Sequence, residues 1–154
     1  QQRELSYDND LADMLIRSCV LQNSTWLFFR YQNHNILHNL VTHLITCLLD
    51  NGLKPFTDIL LGECELVYRI LEAFDRNRAY MRRTRVSLGF MGHLSIIAAC
   101  VDENVDISLE SDDVQGRWSA LRIFLDQKRF LECEYRHGGT ISLPENFQNP
   151  LLFY

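Results

Sequence analysis

The chain has 154 residues, a formal net charge of −5, and is 47% hydrophobic and 23% charged. That length suits one domain with its own core, and the composition is too apolar for a disordered chain. No apolar run is long enough to span a bilayer, and the negative balance leaves no footprint for nucleic acid, so neither a membrane nor a nucleic acid is expected as a partner.

Asn9 or Asp10 is placed to cap a first helix whose stripe is Leu11, Met14, Leu15, Ser18 and Cys19. It is expected to end near Cys19 or Val20 and to restart with Ser24 as cap. The segment Trp26, Leu27, Phe28, Phe29 is heavily aromatic and is expected to be buried. From Asn33 or Asn35, the residues Ile36, Leu37, Leu40, Val41, Leu44, Ile45, Leu48 and Leu49 hold helical spacing, a face wide enough to pack on two sides. Asn51-Gly52 stops this helix, and Pro55 starts the next segment at its first turn. Phe56, Ile59 and Leu60 lead across Gly62 into a helix from Glu63, with Leu66, Val67, Ile70, Leu71 and Phe74 on one face.

Arg76, Arg78, Arg82, Arg83 and Arg85 follow, and with the apolar pattern lost they read as a basic loop. Gly89 and Gly92 open a helix running to Val101 that is apolar on most sides. Gly92 is expected to be required for its tight entry. The acidic run Asp102 to Asp113 reads as a loop, with Asp113 as cap for a helix carrying Trp118, Leu121, Ile123, Phe124, Leu125, Phe130 and Leu131 that fades near His137. Gly138-Gly139 is a break, and residues 140–154, with Pro144 and Pro150, form an irregular tail. The sum is an all-α chain with no strand. Residues 1–154 read as a single helical domain, a fragment of an armadillo- or HEAT-like helical-repeat solenoid. A start at Gln1 without methionine and an end on Leu151-Leu152-Phe153-Tyr154 suggest a piece of a longer protein or a processed product.

The sequence holds few groups that could carry chemistry. Cys19, Cys47, Cys64, Cys100 and Cys133 are odd in number and far apart, and no Cys-x-x-Cys occurs. Reduced thiols, a cytoplasmic or also nuclear location, and no structural zinc are the expectation. His34 and His38 share a helix face as metal ligands can, with His43 nearby. No acidic partner or third ligand accompanies them, so packing is preferred to a metal. His93 has no nucleophile or second titratable group beside it, and Gly89 and Gly92 lack the lysine and third glycine of a phosphate loop. The acidic run lacks the glycine of a calcium loop. The five arginines read either as a solvated connector or as a contact for a phosphate or an acidic partner. No enzyme and no cofactor is expected.

Three motifs stand in order: Phe28-Phe29-x-Tyr31 with Asn35-Ile36-Leu37-His38; Arg69-Ile70-Leu71-x-Ala73-Phe74; and Phe90-Met91-Gly92-His93-Leu94 with Ile97-Ala98. Arg117-Trp118 adds a weaker fourth. Together they resemble the SAPS-domain family, the large regulatory subunits of phosphatase-6-type serine/threonine phosphatases. Ser95 stands where that pattern has threonine, and Ile96 where it has a longer or charged residue. The resemblance implies a helical-repeat fold and a non-catalytic scaffold that binds a phosphatase-6-type catalytic subunit and directs it to substrates. Further scaffold or substrate proteins are additional partners under that reading. It also implies that the loop after Phe74 is variable. Tyr31, His38, Arg69 and His93 are the candidate partner-binding residues. The alternative is a helical-repeat adaptor for other proteins, in which the motifs serve packing alone.

Overall fold

A computed structural model describes residues 13–136, with side chains through Asp126 except Leu109. The expected cap at Asn9 or Asp10 and the tail at 140–154 lie outside the described residues. Every described element is helical and none is a strand.

A helical stretch over residues 13–17 breaks at Ser18-Cys19, where Cys19 takes the left-handed conformation (φ 53°). Helix α1 (Val20–Arg30) starts directly after it. Ser24 is therefore inside a helix and is not its cap, because nothing from Val20 onward interrupts the helical backbone. Leu21, Thr25 and Phe28, at steps of four and three, form the buried face. Trp26 points the other way and is exposed, so only part of the aromatic segment enters the core.

Helix α2 (Asn35–Asp50) begins where the spacing placed it. His34 is its N-cap, its Nδ1 accepting the Leu37 N–H at 3.2 Å. Gly52 (φ 60°) ends the turn after it, a conformation glycine reaches without a Cβ penalty. Helix α3 (Lys54–Leu61) carries Pro55 in its first turn, as expected.

Helix α4 (Leu66–Thr84) corrects the sequence reading most. The basic loop is helix: Arg76, Arg78, Arg82 and Arg83 occupy its second half, and Arg85 is its C-cap (φ 60°), with its N–H on the Met81 carbonyl at 2.9 Å. Between Asp75 and Thr84 there is no glycine or proline, and arginine, alanine and methionine are good helix formers. Losing the apolar stripe removed the packing signal and left the helix intact. The start moves too, since Glu65 is left-handed (φ 49°) and α4 opens after it, at Leu66.

Helix α5 (Met91–Asn104) takes in Asp102 and Glu103, so the acidic run is a loop only in part. A short 3₁₀ turn (Ile107–Leu109) follows, held by the Asp106 carboxylate, which accepts from the Ser108 N–H and hydroxyl at 3.0 and 2.6 Å. Helix α6 (Asp112–Arg136) starts one residue before the expected cap. Asp113 thus sits in its first turn beside Asp112, where two carboxylates suit the positive helix end.

Two helical hairpins, α1–α2 and α4–α5, lie side by side, and α6 packs against the second. Their seam is α2 against α5. Asn39 meets His93, Thr46 meets Cys100, and Asp50 meets Asn104, each pair 54 residues apart. A constant offset means that the two helices run parallel. One continuous core of Phe28, Ile45, Leu60, Ile70, Leu94, Trp118 and their neighbours runs beneath both hairpins.

Candidate functional site

The motifs that stand far apart in sequence meet at one end of the α2–α5 seam. Phe28 lies in the last turn of α1, where backbone carbonyls lack helical partners. The His38 Nε2 lies 3.1 Å from the Phe28 carbonyl. A carbonyl only accepts, so Nε2 carries the proton and the Nδ1 lone pair is left buried and without a partner. The Phe28 and Phe90 rings stand 4.8 and 5.8 Å from the imidazole. Burial pushes the pKa of His38 below its ordinary 6.5, the positive charges that His93 and His34 would carry push the same way, and the bond to Phe28 opposes them.

His93 enters from the first turn of α5, its ring 5.5 Å from that of His38, and its Nε2 meets Asn39 Oδ1 at 2.9 Å. The turn before α5 comes equally close: a Cβ on Gly89 would stand 3.0 Å from the Gln32 carbonyl and from Asn33 Oδ1. A Cβ on Gly92 would meet nothing within 4 Å. The glycine that the close approach requires is Gly89, and the expectation for Gly92 is overturned.

The four sequence candidates therefore part company. His38 and His93 come together, buried and half-buried, and join the hairpins. Tyr31 is the exposed C-cap of α1, two residues after Phe29. Arg69 lies elsewhere: its Nε–H donates to the Cys64 carbonyl at 2.9 Å and holds the turn into α4. His34 uses Nδ1 on a helix cap and His38 uses Nε2 on a carbonyl. Among the described residues no group of three or more His, Cys, Asp or Glu could hold a metal ion. Arg117 and Trp118 tie α6 down, Arg117 to Asp75 of α4 at 2.7 Å and Trp118 Nε1–H to Asp102 of α5 at 2.9 Å.

What the sequence reading missed is the surface above the seam. On α2 the residues bonded to α5 are Asn39, Thr46 and Asp50. Ile36, Leu40, His43 and Cys47 lie about a fifth of a turn round from them. On α5 the residues bonded to α2 are His93, Cys100 and Asn104, and Gly92, Ile96 and Glu103 lie about a quarter turn the other way. Because the helices are parallel, these opposite rotations bring both stripes to the same side. Ile36, Leu40 and Ile96 are 71%, 66% and 55% exposed there. The overly wide apolar face of α2 was the one signal in the sequence for this patch.

Comparison with known proteins agrees with this architecture of shared motifs. The SAPS family, described as SIT4 phosphatase-associated protein, matches residues 9–120. Serine/threonine-protein phosphatase 6 regulatory subunit 1 of Mus musculus is 31% identical over 91 residues, 52% of this chain and 11% of that protein. Serine/threonine-protein phosphatase 6 regulatory subunit 3 of Gallus gallus is 32% identical over 105 residues, 58% of this chain and 12% of that protein. The chain therefore matches about a tenth of the length of these relatives. No solved structure matches it. With the family pattern spanning well over half of its residues, this chain belongs to the SAPS family of SIT4 phosphatase-associated proteins.

Proposed function

We propose that the chain is part of a non-catalytic regulatory subunit that binds a phosphatase-6-type catalytic subunit and directs it to substrates, other scaffold or substrate proteins being further partners. Family membership and the names of its relatives support the phosphatase. The observation that carries the binding role is the exposed patch Ile36, Leu40 and Ile96 on two parallel helices. Three large aliphatic side chains left in solvent on a rigid surface suit a protein partner. The reading extends to the architecture: parallel helices at a fixed offset in successive hairpins are what an armadillo- or HEAT-like repeat stacks, and we read the α1–α2 and α4–α5 hairpins as such units.

In this reading the catalytic metals and the hydrolytic chemistry belong to the partner. Of the four candidate residues, Tyr31 is exposed and His93 half-buried, whereas His38 is buried against Phe28 and Arg69 holds the turn into α4. Neither nucleic acid nor membrane enters the role, and no helix among the described residues is long and apolar enough to cross a bilayer. The location that goes with it is cytoplasmic or also nuclear, in keeping with the free thiols Cys19, Cys47, Cys64 and Cys100 among the described residues.

The test is co-purification of a phosphatase-6-type catalytic subunit with the full-length protein carrying this chain. Wild type should retain it in near-stoichiometric amount. Leu40→Glu and Ile96→Glu, both at exposed sites, should reduce retention about tenfold or more with an unchanged helical circular dichroism spectrum. Failure of the wild type to retain the phosphatase, with other proteins bound tightly, would replace this reading with that of a helical-repeat adaptor.

A further inference from the structure

A second surface lies on the far hairpin, between α4 and α6. Leu71, Phe74, Met81, Leu121 and Phe124 line a groove that encloses about 160 Å³, room for one or two large side chains. The Phe74 and Phe124 rings meet edge-on at 5.9 Å on its floor. Ile123 stands on its α6 rim, 60% exposed.

The charge along this groove is one-sided. Helical spacing continues the Leu71–Phe74 stripe of α4 through Arg78, Arg82 and Arg85, all exposed. Arg76 and Arg83 fall on the opposite side of the helix. Among the described residues none of these five arginines has an ion pair, whereas Arg117 is paired with Asp75 at 2.7 Å and Arg122 with Asp102 at 2.6 Å. Arg78 and Arg82, one turn apart, repel each other where a structural helix would gain from alternating signs. Among the described residues the α6 wall offers no comparable positive row: Arg117 is engaged on both sides, by Asp75 and by the exposed Asp113 at 3.7 Å.

We propose that this groove is a docking site for an acidic amphipathic helical segment of a partner protein. Its apolar face fills the groove, and the carboxylates along one edge pair with Arg78, Arg82 and Arg85. An apolar slot with a cationic row on a single wall matches a helix that has one hydrophobic face and one acidic edge. A phosphate polyanion would meet the Asp75 carboxylate on the same wall as Arg78 and would find no use for the apolar floor. The proposal is independent of the phosphatase reading, since it rests on a different surface and a different helix pair.

The test uses the whole chain and a fluorescein-labelled helical peptide of about 18 residues, with leucines at three- and four-residue steps on one face and glutamates along one edge. Its control is a peptide of the same composition in scrambled order. Fluorescence anisotropy should show binding in the range of about 10 µM, and the scrambled peptide should bind at least about tenfold more weakly. The pair Arg78→Glu with Arg82→Glu, and separately Ile123→Asp, should each weaken binding about tenfold. The pair Arg76→Glu with Arg83→Glu should change it less than about twofold, because those side chains face away. No binding, equal binding of the scrambled peptide, or an equal loss from the Arg76 and Arg83 pair overturns the proposal. So does tighter binding of phosphatidylserine vesicles or of a single-stranded oligonucleotide that Ile123→Asp leaves unaffected.

Discussion

The imidazoles of His38 and His93 lie 5.5 Å apart at an interplanar angle of 42°, and each keeps a buried Nδ1 with no hydrogen-bond partner among the described residues. One ring hangs from the first hairpin and the other from the second. Each directs Nε2 to an oxygen, His38 to the Phe28 carbonyl and His93 to Asn39. The contact favours a neutral His38, since a proton on that ring would place a charge among Phe28, Phe90 and the second imidazole.

Stability should therefore fall in acid. The pKa of His38 is below its ordinary 6.5 when folded, chiefly through burial. Above that ordinary value neither state takes up the proton and there is no penalty. Below it the unfolded chain is protonated and the folded chain is not, so unfolding gains up to about 1.4 kcal/mol per pH unit until the folded pKa is reached. Urea unfolding midpoints should drop as the pH is lowered from 6.5 toward the folded value. In His38→Gln, which keeps a donor for Phe28 but cannot titrate, the drop should be shallower. An equal slope in the variant would assign the effect to other groups.

The two glycines before and within α5 should behave oppositely. Gly89→Ala pushes a Cβ against the Gln32 carbonyl, backbone that cannot swing aside. The expected loss is about 1–3 kcal/mol, seen as a lower urea midpoint. Gly92→Ala enters open space in the first turn of a helix and should be neutral or stabilising by up to about 1 kcal/mol. Equal losses would contradict the geometry at the Gln32–Gly89 approach.

Asp102 should matter far more than a typical surface aspartate. Its carboxylate accepts from Trp118 Nε1 at 2.9 Å and from Arg122 Nε at 2.8 Å, fixing α6 on α5. Asp102→Ala leaves the buried indole N–H unpaired and should cost about 1–3 kcal/mol. Arg122→Ala removes only a half-exposed partner and should cost less than about 1 kcal/mol. Chemical denaturation of the two variants side by side measures the difference.

The thiols should separate by reactivity. Cys19 and Cys47 are exposed, while Cys64 and Cys100 are buried. Burial, with the Asp50 carboxylate adding to it, pushes the Cys100 thiol up to about 12. Iodoacetamide at pH 8, read by peptide mass spectrometry, should alkylate Cys19 and Cys47 at least about tenfold faster than Cys100. Comparable labelling of Cys100 would mean that the α2–α5 seam opens readily.

Most helices could be read directly from spacing and punctuation. The α2 start at Asn35, the Gly52 stop, Pro55 in the first turn of α3 and the buried stripe Leu66–Leu71 all follow from local rules, because a helix repeats its own geometry every few residues. The errors arose where the local signal was silent. The first helix ends at Cys19 as expected, but α1 restarts directly at Val20 and not at Ser24, with no capping side chain to mark its start. The arginines after Phe74 continue α4 although Met81 alone carries its apolar stripe forward. Asp102 and Glu103 extend α5 although acidic clusters suggest loops.

The sequence alone determined the all-helical class, the family and the segments Phe28–His38, Arg69–Phe74 and Phe90–Ala98 as the characteristic ones, because periodicity and motif order are one-dimensional properties. It could not determine what those segments do. Only the packing of α2 parallel to α5 placed the buried His38 beside the half-buried His93, whereas Arg69 turns to the Cys64 carbonyl five residues before it. The same packing left Ile36, Leu40 and Ile96 together in solvent. Which apolar residues are buried and which form a surface depends on how one helix is rotated against another, and that rotation is set by contacts between residues 54 positions apart.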